Sequence, residues 1–110
     1  MNRKKNIAIL GSTGSIGRQT LDVISEYPGL FRAWLLVANT SADLLIEQAL
    51  AYRPEYVIIS SEACYGKVRD ALAHLPIKVL TGHSSIAEVV THPDVDVVVT
   101  AMVGYSGLEP

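Results

Sequence analysis

Three regularly spaced glycines mark the segment of this chain that is best suited to hold an anion. Gly11, Gly14 and Gly17 follow an apolar run at residues 6–10 and lead into a stretch with helical periodicity. In such a turn, one glycine bends sharply off the strand, a second lets the backbone approach phosphates, and a third lets the helix pack on the sheet. The pattern G-x-x-G-x-x-G has a first gap one residue longer than the common dinucleotide-binding motif.

Backbone N–H groups at the start of the following helix would supply the binding chemistry. They have no partner inside the helix and carry the positive end of its dipole, so they can bind a pyrophosphate. No Lys-Ser or Lys-Thr pair follows the glycines, which disfavours a Walker-type phosphate loop. A merely flexible turn would not need this many glycines and hydroxyl residues. The residues predicted to form the phosphate site are Gly11, Thr13, Gly14, Ser15, Ile16 and Gly17.

A second segment, Asn39-Thr40-Ser41, bears on which nicotinamide cofactor would bind. It follows the second apolar run, about 20 residues after the glycines, where NAD-binding domains place an acid for the ribose 2′-hydroxyl. No acid occurs here before Asp43, and the three side chains can donate to a 2′-phosphate. The sequence therefore favours NADPH, although the loop holds no Lys or Arg. Arg18 could approach the loop, but pairing with Asp22 four residues later is the better-supported role.

The elements that position these residues alternate between apolar, β-branched runs and stretches of helical periodicity. The predicted strands cover residues 6–10, 31–38, 56–59, 78–80 and 95–100. Continuous hydrophobic runs are typical of strands buried on both faces of a parallel sheet. Helices between such strands form right-handed crossovers. The sequence thus predicts one Rossmann-like, doubly wound α/β domain over residues 1–110, with helices on both faces.

Apolar residues at helical spacing define the predicted buried face of each helix. For the first helix this face comprises Ile16, Thr20, Val23, Ile24 and Tyr27. Thr40 or Ser41 is expected to cap the second helix, and Ser61 the third. The fourth helix is predicted over residues 85–91, with Ser85 and Glu88 forming a capping box.

Composition narrows the classes of protein further. Of the 110 residues, 49% are hydrophobic and 18% are charged, and the net charge of −2 with a mean hydropathy of +0.29 excludes intrinsic disorder. The longest uninterrupted apolar run, residues 33–38, is too short to cross a bilayer. A single cysteine suits a reducing compartment such as the bacterial cytoplasm. A pI near 5.8 gives no general attraction to nucleic acid.

Other reactive residue types give weaker signals. Cys64 lies on an apolar helix stripe and is predicted to be a packed core thiol. The three histidines lack metal-ligand spacing. Asp94 and Asp96 flank Val95 at the entry of the fifth strand, opposite the ligand edge, and are predicted to be solvated boundary residues. Ala101 and Met102 leave the carboxyl end of that strand, so they either approach the cofactor or complete the core.

Two segments resemble the 1-deoxy-D-xylulose 5-phosphate reductoisomerase family: residues 10–17 with 20–24, and residues 101–110. Members use NADPH and a divalent metal, Mg²⁺ or Mn²⁺, to make 2-C-methyl-D-erythritol 4-phosphate from 1-deoxy-D-xylulose 5-phosphate. This is the committed step of non-mevalonate isoprenoid biosynthesis. The resemblance implies cofactor-phosphate contacts at residues 13–16, a 2′-phosphate loop at residues 39–41, and ribose contacts at Ala101 and Met102.

The resemblance covers essentially the whole chain, but the family's metal ligands, substrate-phosphate residues and mobile loop follow its cofactor domain. It therefore implies an N-terminal piece of a longer, homodimeric enzyme, with no catalytic or metal-binding residue here and no activity alone. Many relatives have glycine and a basic residue at the positions of Asn39 and Thr40, so the strength of the NADPH preference stays open. The residues alone also allow another NAD(P)-dependent dehydrogenase domain, or a non-catalytic nucleotide-sensing module.

Overall fold

The computed structural model describes residues 4–100, which form alternating β-strands and α-helices. The strands are β1 (Lys5–Leu10), β2 (Phe31–Ala38), β3 (Tyr56–Ile59), β4 (Lys78–Thr81) and β5 (Val97–Thr100). The helices are α1 (Ser15–Glu26), α2 (Ala42–Tyr52), α3 (Glu62–Ala71) and α4 (His83–Val90). The predicted order of elements is confirmed, and β2 and β3 have the predicted bounds.

The strands form one parallel sheet in the order β4-β3-β2-β1-β5. The strand order reverses between β1 and β5, because β2 to β4 extend to one side of β1 and β5 returns to the other. Open α/β sheets bind ligands at such a reversal, in the crevice at the carboxyl ends of the strands. In this molecule that crevice lies beyond the paired residues Leu10 and Thr100.

Helices cover both faces of the sheet. On one face, α1, α2 and α3 contribute Leu21, Leu45 and Val68 to a buried core. On the other face, Val89 of α4 packs in a second core that contains Trp34 of β2. Successive side chains of a strand point to opposite faces, so β2 supplies both cores, and its buried residues 33–38 are all apolar. The predicted doubly wound, Rossmann-like fold is therefore confirmed.

The buried face of α1 coincides with the predicted one only at Ile24. Gly17, Leu21 and Ile24 are its buried residues. The members of the predicted face that stay exposed are Ile16 at 55%, Val23 at 47% and Tyr27 at 50%. The cause is Gly17, because a Cβ atom there would lie 2.1 Å from the Gly11 carbonyl oxygen. The helix turns this bare position toward Gly11 and Ser12, so its buried face lies about 80° from the predicted one.

The start of α4 also differs from its prediction. The helix begins at His83, and its N-cap is Gly82 with a φ of 90°, which favours glycine. Ser85 lies inside the helix, and its Oγ donates to the Thr81 carbonyl at 2.8 Å. The predicted capping box of Ser85 and Glu88 is therefore wrong, since the chain turns directly from β4 into the helix through a glycine. Ser41 and Ser61 do occupy the N-cap positions of α2 and α3, without a side-chain capping bond.

The entry into β5 is fastened to β1. The backbone N–H of Asn6 donates to Asp96 Oδ2 at 2.7 Å, and the Asn6 side-chain amide donates to the Asp94 carbonyl at 2.9 Å. Both aspartates are exposed at the amino end of the strand, as predicted. They also hold the chain against β1, so β5 begins at Val97, two residues later than predicted.

Candidate functional site

The glycine turn connects β1 to α1 at the carboxyl edge of the sheet, beside the crevice. Gly11 has a φ of 99°, in the left-handed region that favours glycine. The N–H groups of Gly11 and Ser12 both donate to the Val37 carbonyl of β2, at 2.8 and 2.9 Å. The Gly14 N–H donates to the Gly11 carbonyl at 3.2 Å and closes the turn. Backbone bonds therefore fix the turn before any ligand binds.

The first turn of α1 has N–H donors without helical partners, and it is exposed at Ser15 and Ile16. Gly14 is its N-cap, and the Gly14 carbonyl accepts a helical bond from the Arg18 N–H at 2.9 Å. The three N–H groups between these residues have no acceptor within the helix, as at every helix start. Ser15 and Ile16 are exposed, and α1 has no acidic residue in its first turn. An anion can reach these donors and the positive end of the helix dipole.

Gly17 brings the helix onto the turn. Besides the Gly11 oxygen, a Cβ atom at Gly17 would lie 2.6 Å from Ser12 Cα, a distance that real Cβ atoms do not adopt. The neighbouring atoms belong to the backbone and cannot move aside without changing the turn. The close packing predicted for Gly17 is therefore present.

A buried polar pair that the sequence analysis did not identify supports the same turn. Ser12 is fully buried, and Gln48 of α2 is only 7% exposed. The two residues are joined by two hydrogen bonds. The signal for a buried Gln48 was its position in α2, three residues after Leu45 and next to Ala49. Both of these neighbours are at 0% exposure.

The loop Asn39-Thr40-Ser41 lies between β2 and α2, at the same edge of the sheet. It neighbours the glycine turn because β1 and β2 are paired up to Leu10 and Val37. All three residues of the loop are exposed. Their side chains can thus meet a ligand that lies across the carboxyl ends of these strands.

The backbone of this loop is held by the start of α3. The Ser61 N–H donates to the Asn39 carbonyl at 3.0 Å, and Cys64 Sγ donates to the Thr40 carbonyl at 3.7 Å. Cys64 is half-buried and packs against the first core, so the predicted core thiol also contacts the loop.

A cation that the sequence analysis did not associate with the loop lies beside it. Lys67 of α3 places its Nζ 2.6 Å from Asp43 Oδ1, near the start of α2. Its hydrogen bond to Asp43 and the charge of that carboxylate raise the pKa of Lys67 above its ordinary value. The ammonium group therefore stays charged near neutral pH.

One buried oxygen at this edge has no partner. Ser60 directly follows β3, and its N–H donates to the Ala38 carbonyl at 2.9 Å. Within residues 4–100, its hydroxyl oxygen is buried without a hydrogen-bond partner. Unsatisfied buried hydroxyls are uncommon in native proteins, so this one marks unused hydrogen-bonding capacity near the loop.

Other sequence predictions fall elsewhere. Ala101 and Met102 lie outside the described residues. Among residues 4–100, no three His, Cys, Asp or Glu side chains come close enough to hold a metal ion. His92 lies near the amino ends of the strands, where its ring centroid is 5.0 Å from that of Trp34 and its Nδ1 accepts from the Asp94 N–H. No helix in the described part is long and apolar enough to span a membrane.

The sequence is similar to proteins of one family. Residues 7–110 match the family model for 1-deoxy-D-xylulose 5-phosphate reductoisomerase. A protein so named from Porphyromonas gingivalis is 63% identical over 107 residues, which cover 97% of this chain and 28% of the relative. Another from Bacteroides thetaiotaomicron is 52% identical over 109 residues, with 99% and 28% coverage. The chain thus spans about 28% of the length of the curated relatives it matches.

Solved structures give the same result. A crystal structure of DOX-P reductoisomerase in complex with magnesium has a TM-score of 0.88 and 32% identity, covering 97% of this chain and 27% of the other. A 1-deoxy-D-xylulose 5-phosphate reductoisomerase from Zymomonas mobilis in complex with NADPH has a TM-score of 0.78 and 25% identity. That match covers 84% of this chain and 24% of the other.

Proposed function

The chain belongs to the 1-deoxy-D-xylulose 5-phosphate reductoisomerase family, and we propose that it binds NADPH at the carboxyl ends of β1 and β2. The Zymomonas mobilis structure that shares its fold is a complex with NADPH. The observation that carries the proposal is the pre-formed glycine turn at the strand-order reversal, which leads into the start of α1 at the exposed residues Ser15 and Ile16.

The turn fits the pyrophosphate of a dinucleotide. The backbone comes close to the helix start at Gly17, where there is no room for a side chain. Helix N-termini bind phosphate through their free N–H groups and their dipole. The residues we assign to the cofactor phosphates are Thr13, Gly14, Ser15 and Ile16, with Gly11 and Gly17 shaping the turn.

The neighbouring loop fits the adenosine end of the same cofactor. Asn39, Thr40 and Ser41 are exposed and can donate to a 2′-phosphate. No carboxylate of the loop would repel that group. The unpartnered hydroxyl of Ser60 offers a further polar group next to the loop. Contacts of Ala101 and Met102 with the ribose remain a prediction from the sequence.

For the whole protein, we propose the reaction of the family: metal-assisted rearrangement of 1-deoxy-D-xylulose 5-phosphate, followed by reduction of the resulting aldehyde. NADPH supplies the hydride when it is bound. The residues of this chain bind and orient the cofactor, while the Mg²⁺ or Mn²⁺ site and the proton-transferring groups belong to other parts of the protein. We further propose a homodimer in the bacterial cytoplasm, and the relatives are bacterial.

Membership of the family disfavours the two alternatives from the sequence, another NAD(P)-dependent dehydrogenase and a nucleotide-sensing module. Both would leave unexplained why the similarity extends over nearly the whole chain at 63% identity to a reductoisomerase.

Binding of NADPH and NADH to the chain, measured by calorimetry, tests the proposal. Trp34 is buried four residues before the end of β2, about 13 Å from the carboxyl edge. We therefore expect bound NADPH to accept energy from Trp34 rather than to quench it by contact. We expect tighter binding of NADPH than of NADH, and no turnover with substrate and Mn²⁺. Binding of neither cofactor, or equal affinity for both, would refute the assignment.

A further inference from the structure

We infer that Lys67 on α3 recognises the 2′-phosphate of the cofactor, in place of a basic residue in the loop at 39–41. This inference rests on the proposed binding of NADPH at this site. It assigns the cofactor preference to a residue on a different helix from the loop, 26 positions after Ser41 in the sequence.

The loop itself does not supply enough charge for this recognition. A phosphate monoester carries about −1.5 to −2 charges at pH 7. Asn39, Thr40 and Ser41 are neutral donors, which bind a phosphate more weakly than a cation does. Selection for the 2′-phosphate over a 2′-hydroxyl therefore needs a positive charge from another element.

Two contacts place a positive charge, the ammonium group of Lys67, beside the loop at residues 39–41. The Cys64 thiol donates to the Thr40 carbonyl at 3.7 Å, so the first turn of α3 lies on the loop. Lys67 follows Cys64 by three residues and lies on the same side of the helix. Its Nζ is 2.6 Å from Asp43 Oδ1, and Asp43 is two residues beyond Ser41. The ammonium group is thereby held at the end of the loop, where α2 begins.

The ion pair leaves the ammonium group available to a ligand. The side chains of Lys67 and Asp43 are 58% and 80% exposed, so water screens their attraction. Exposed pairs of this kind are weak. A phosphate with nearly two charges competes well with one carboxylate for the same lysine. Asp43 has two opposing effects, since it keeps Lys67 beside the loop but also competes with the phosphate.

Two other cations provide comparisons. Arg18 is exposed on α1 and is the alternative partner for the 2′-phosphate. Lys78 pairs with Glu55 at 3.2 Å and is 60% exposed, so it resembles Lys67 in exposure and in having a carboxylate partner. Lys78 begins β4, at the amino end of the sheet and away from the loop. It is therefore a matched control.

The test compares dissociation constants for NADPH, NADH and 2′,5′-ADP, measured by calorimetry on the chain and on single variants. Lys67→Gln should weaken binding of NADPH and of 2′,5′-ADP about tenfold, which corresponds to loss of a charge-assisted hydrogen bond. Its affinity for NADH should not change. Asp43→Asn should increase the preference for NADPH, because it removes the competing carboxylate. Lys78→Gln should leave all three constants unchanged. Circular dichroism confirms that each variant is folded.

Three results would overturn the inference. An unchanged ratio of NADPH to NADH affinity in Lys67→Gln would show that this lysine does not bind the 2′-phosphate. A selective loss of NADPH binding in Arg18→Gln, with none in Lys67→Gln, would assign the role to Arg18. If the unsubstituted chain bound neither cofactor, the proposed function would itself be refuted, and the inference with it.

Discussion

The side-chain amide of Gln48, on α2, forms two hydrogen bonds with Ser12 in the glycine turn, one through its oxygen and one through its nitrogen. Ser12 Oγ donates to Gln48 Oε1 at 2.7 Å, and Gln48 Nε2 donates to the Ser12 carbonyl at 2.9 Å. Both residues are buried. The turn that we assign to the cofactor phosphates is thus positioned by the second helix as well as by the strand that leads into it.

Replacement of this glutamine should destabilise the fold and weaken cofactor binding together. Gln48→Met keeps the length of the side chain but leaves the Ser12 hydroxyl and carbonyl without partners. Each buried group left unsatisfied costs about 1–3 kcal/mol, so we expect a loss of about 2–4 kcal/mol in the free energy of unfolding. Urea denaturation measures this loss. Gln19→Met makes the same change at an exposed position of α1 and should be nearly neutral; equal losses in both variants would contradict the role of the pair.

Gly17 should not tolerate even a methyl group. In Gly17→Ala, Cβ would meet backbone atoms of Gly11 and Ser12 at 2.1 and 2.6 Å. Forced overpacking against atoms that cannot yield costs about 3 kcal/mol or more. The midpoint of urea denaturation should fall accordingly.

Gly66→Ala is the matched control for that substitution. Gly66 lies within α3, and the nearest heavy atom to an added Cβ is at 3.9 Å, on the flexible side chain of Arg69. Alanine is the better helix former, so this variant should gain about 0.5–1 kcal/mol. A Gly17→Ala variant as stable as the unsubstituted chain would show that α1 does not depend on this close approach.

Gly14 should affect binding more than stability. Its φ of −83° and ψ of 178° are open to any residue, so Gly14→Val should keep the helix content seen by circular dichroism. The new side chain would stand where we place the pyrophosphate, and NADPH binding should be lost. Gly29→Val makes the same change at the far end of α1, where nothing lies within 4 Å of an added Cβ. Calorimetry should show unchanged binding there; a Gly14→Val variant that still binds would exclude the turn as the phosphate site.

The preference for NADP⁺ over NAD⁺ should decrease at acidic pH and stay constant at alkaline pH. Asp43, through its hydrogen bond and charge, raises the pKa of Lys67, so the ammonium stays protonated as pH rises to 9. The second pKa of the phosphate is about 6, so the phosphate loses charge as pH falls. The ratio of NADP⁺ to NAD⁺ affinity should therefore be flat from pH 7.5 to 9 and decrease toward pH 5.5. A ratio that decreases on the alkaline side would contradict the assignment to this lysine.

The sheet could be predicted from the sequence because its central strands are continuous hydrophobic runs. β2 and β3 are apolar at every core position, so they could be bounded to the residue. The first helix was oriented wrongly since hydrophobic periodicity gives no weight to glycine. Gly17 lies on the buried face for the very reason that it has no side chain.

The side chains that position or complete the site were not predicted either, because a local sequence pattern does not show long-range contacts. Gln48 and Lys67 are common helix residues, and neither shows in the sequence which distant group it meets. Their partners, Ser12 and Asp43, lie 36 and 24 positions away in the chain and are reached only through the packing of α2. Local motifs could identify the phosphate turn but not the side chains that position it or complete its charge.

Because β1 pairs with β5, the sheet cannot be completed until the end of the described chain has been synthesised. The Asn6–Asp96 contact that fastens them joins residues 90 positions apart. On the ribosome, chains emerge from the amino end, so the residues of β5 follow those of all the other described strands. Until they arrive, one side of β1 is a bare sheet edge, open to pairing with other chains. The crevice is completed in the same event that covers this side of β1, so the nascent protein should become able to bind its cofactor only after the residues of β5 have emerged and paired.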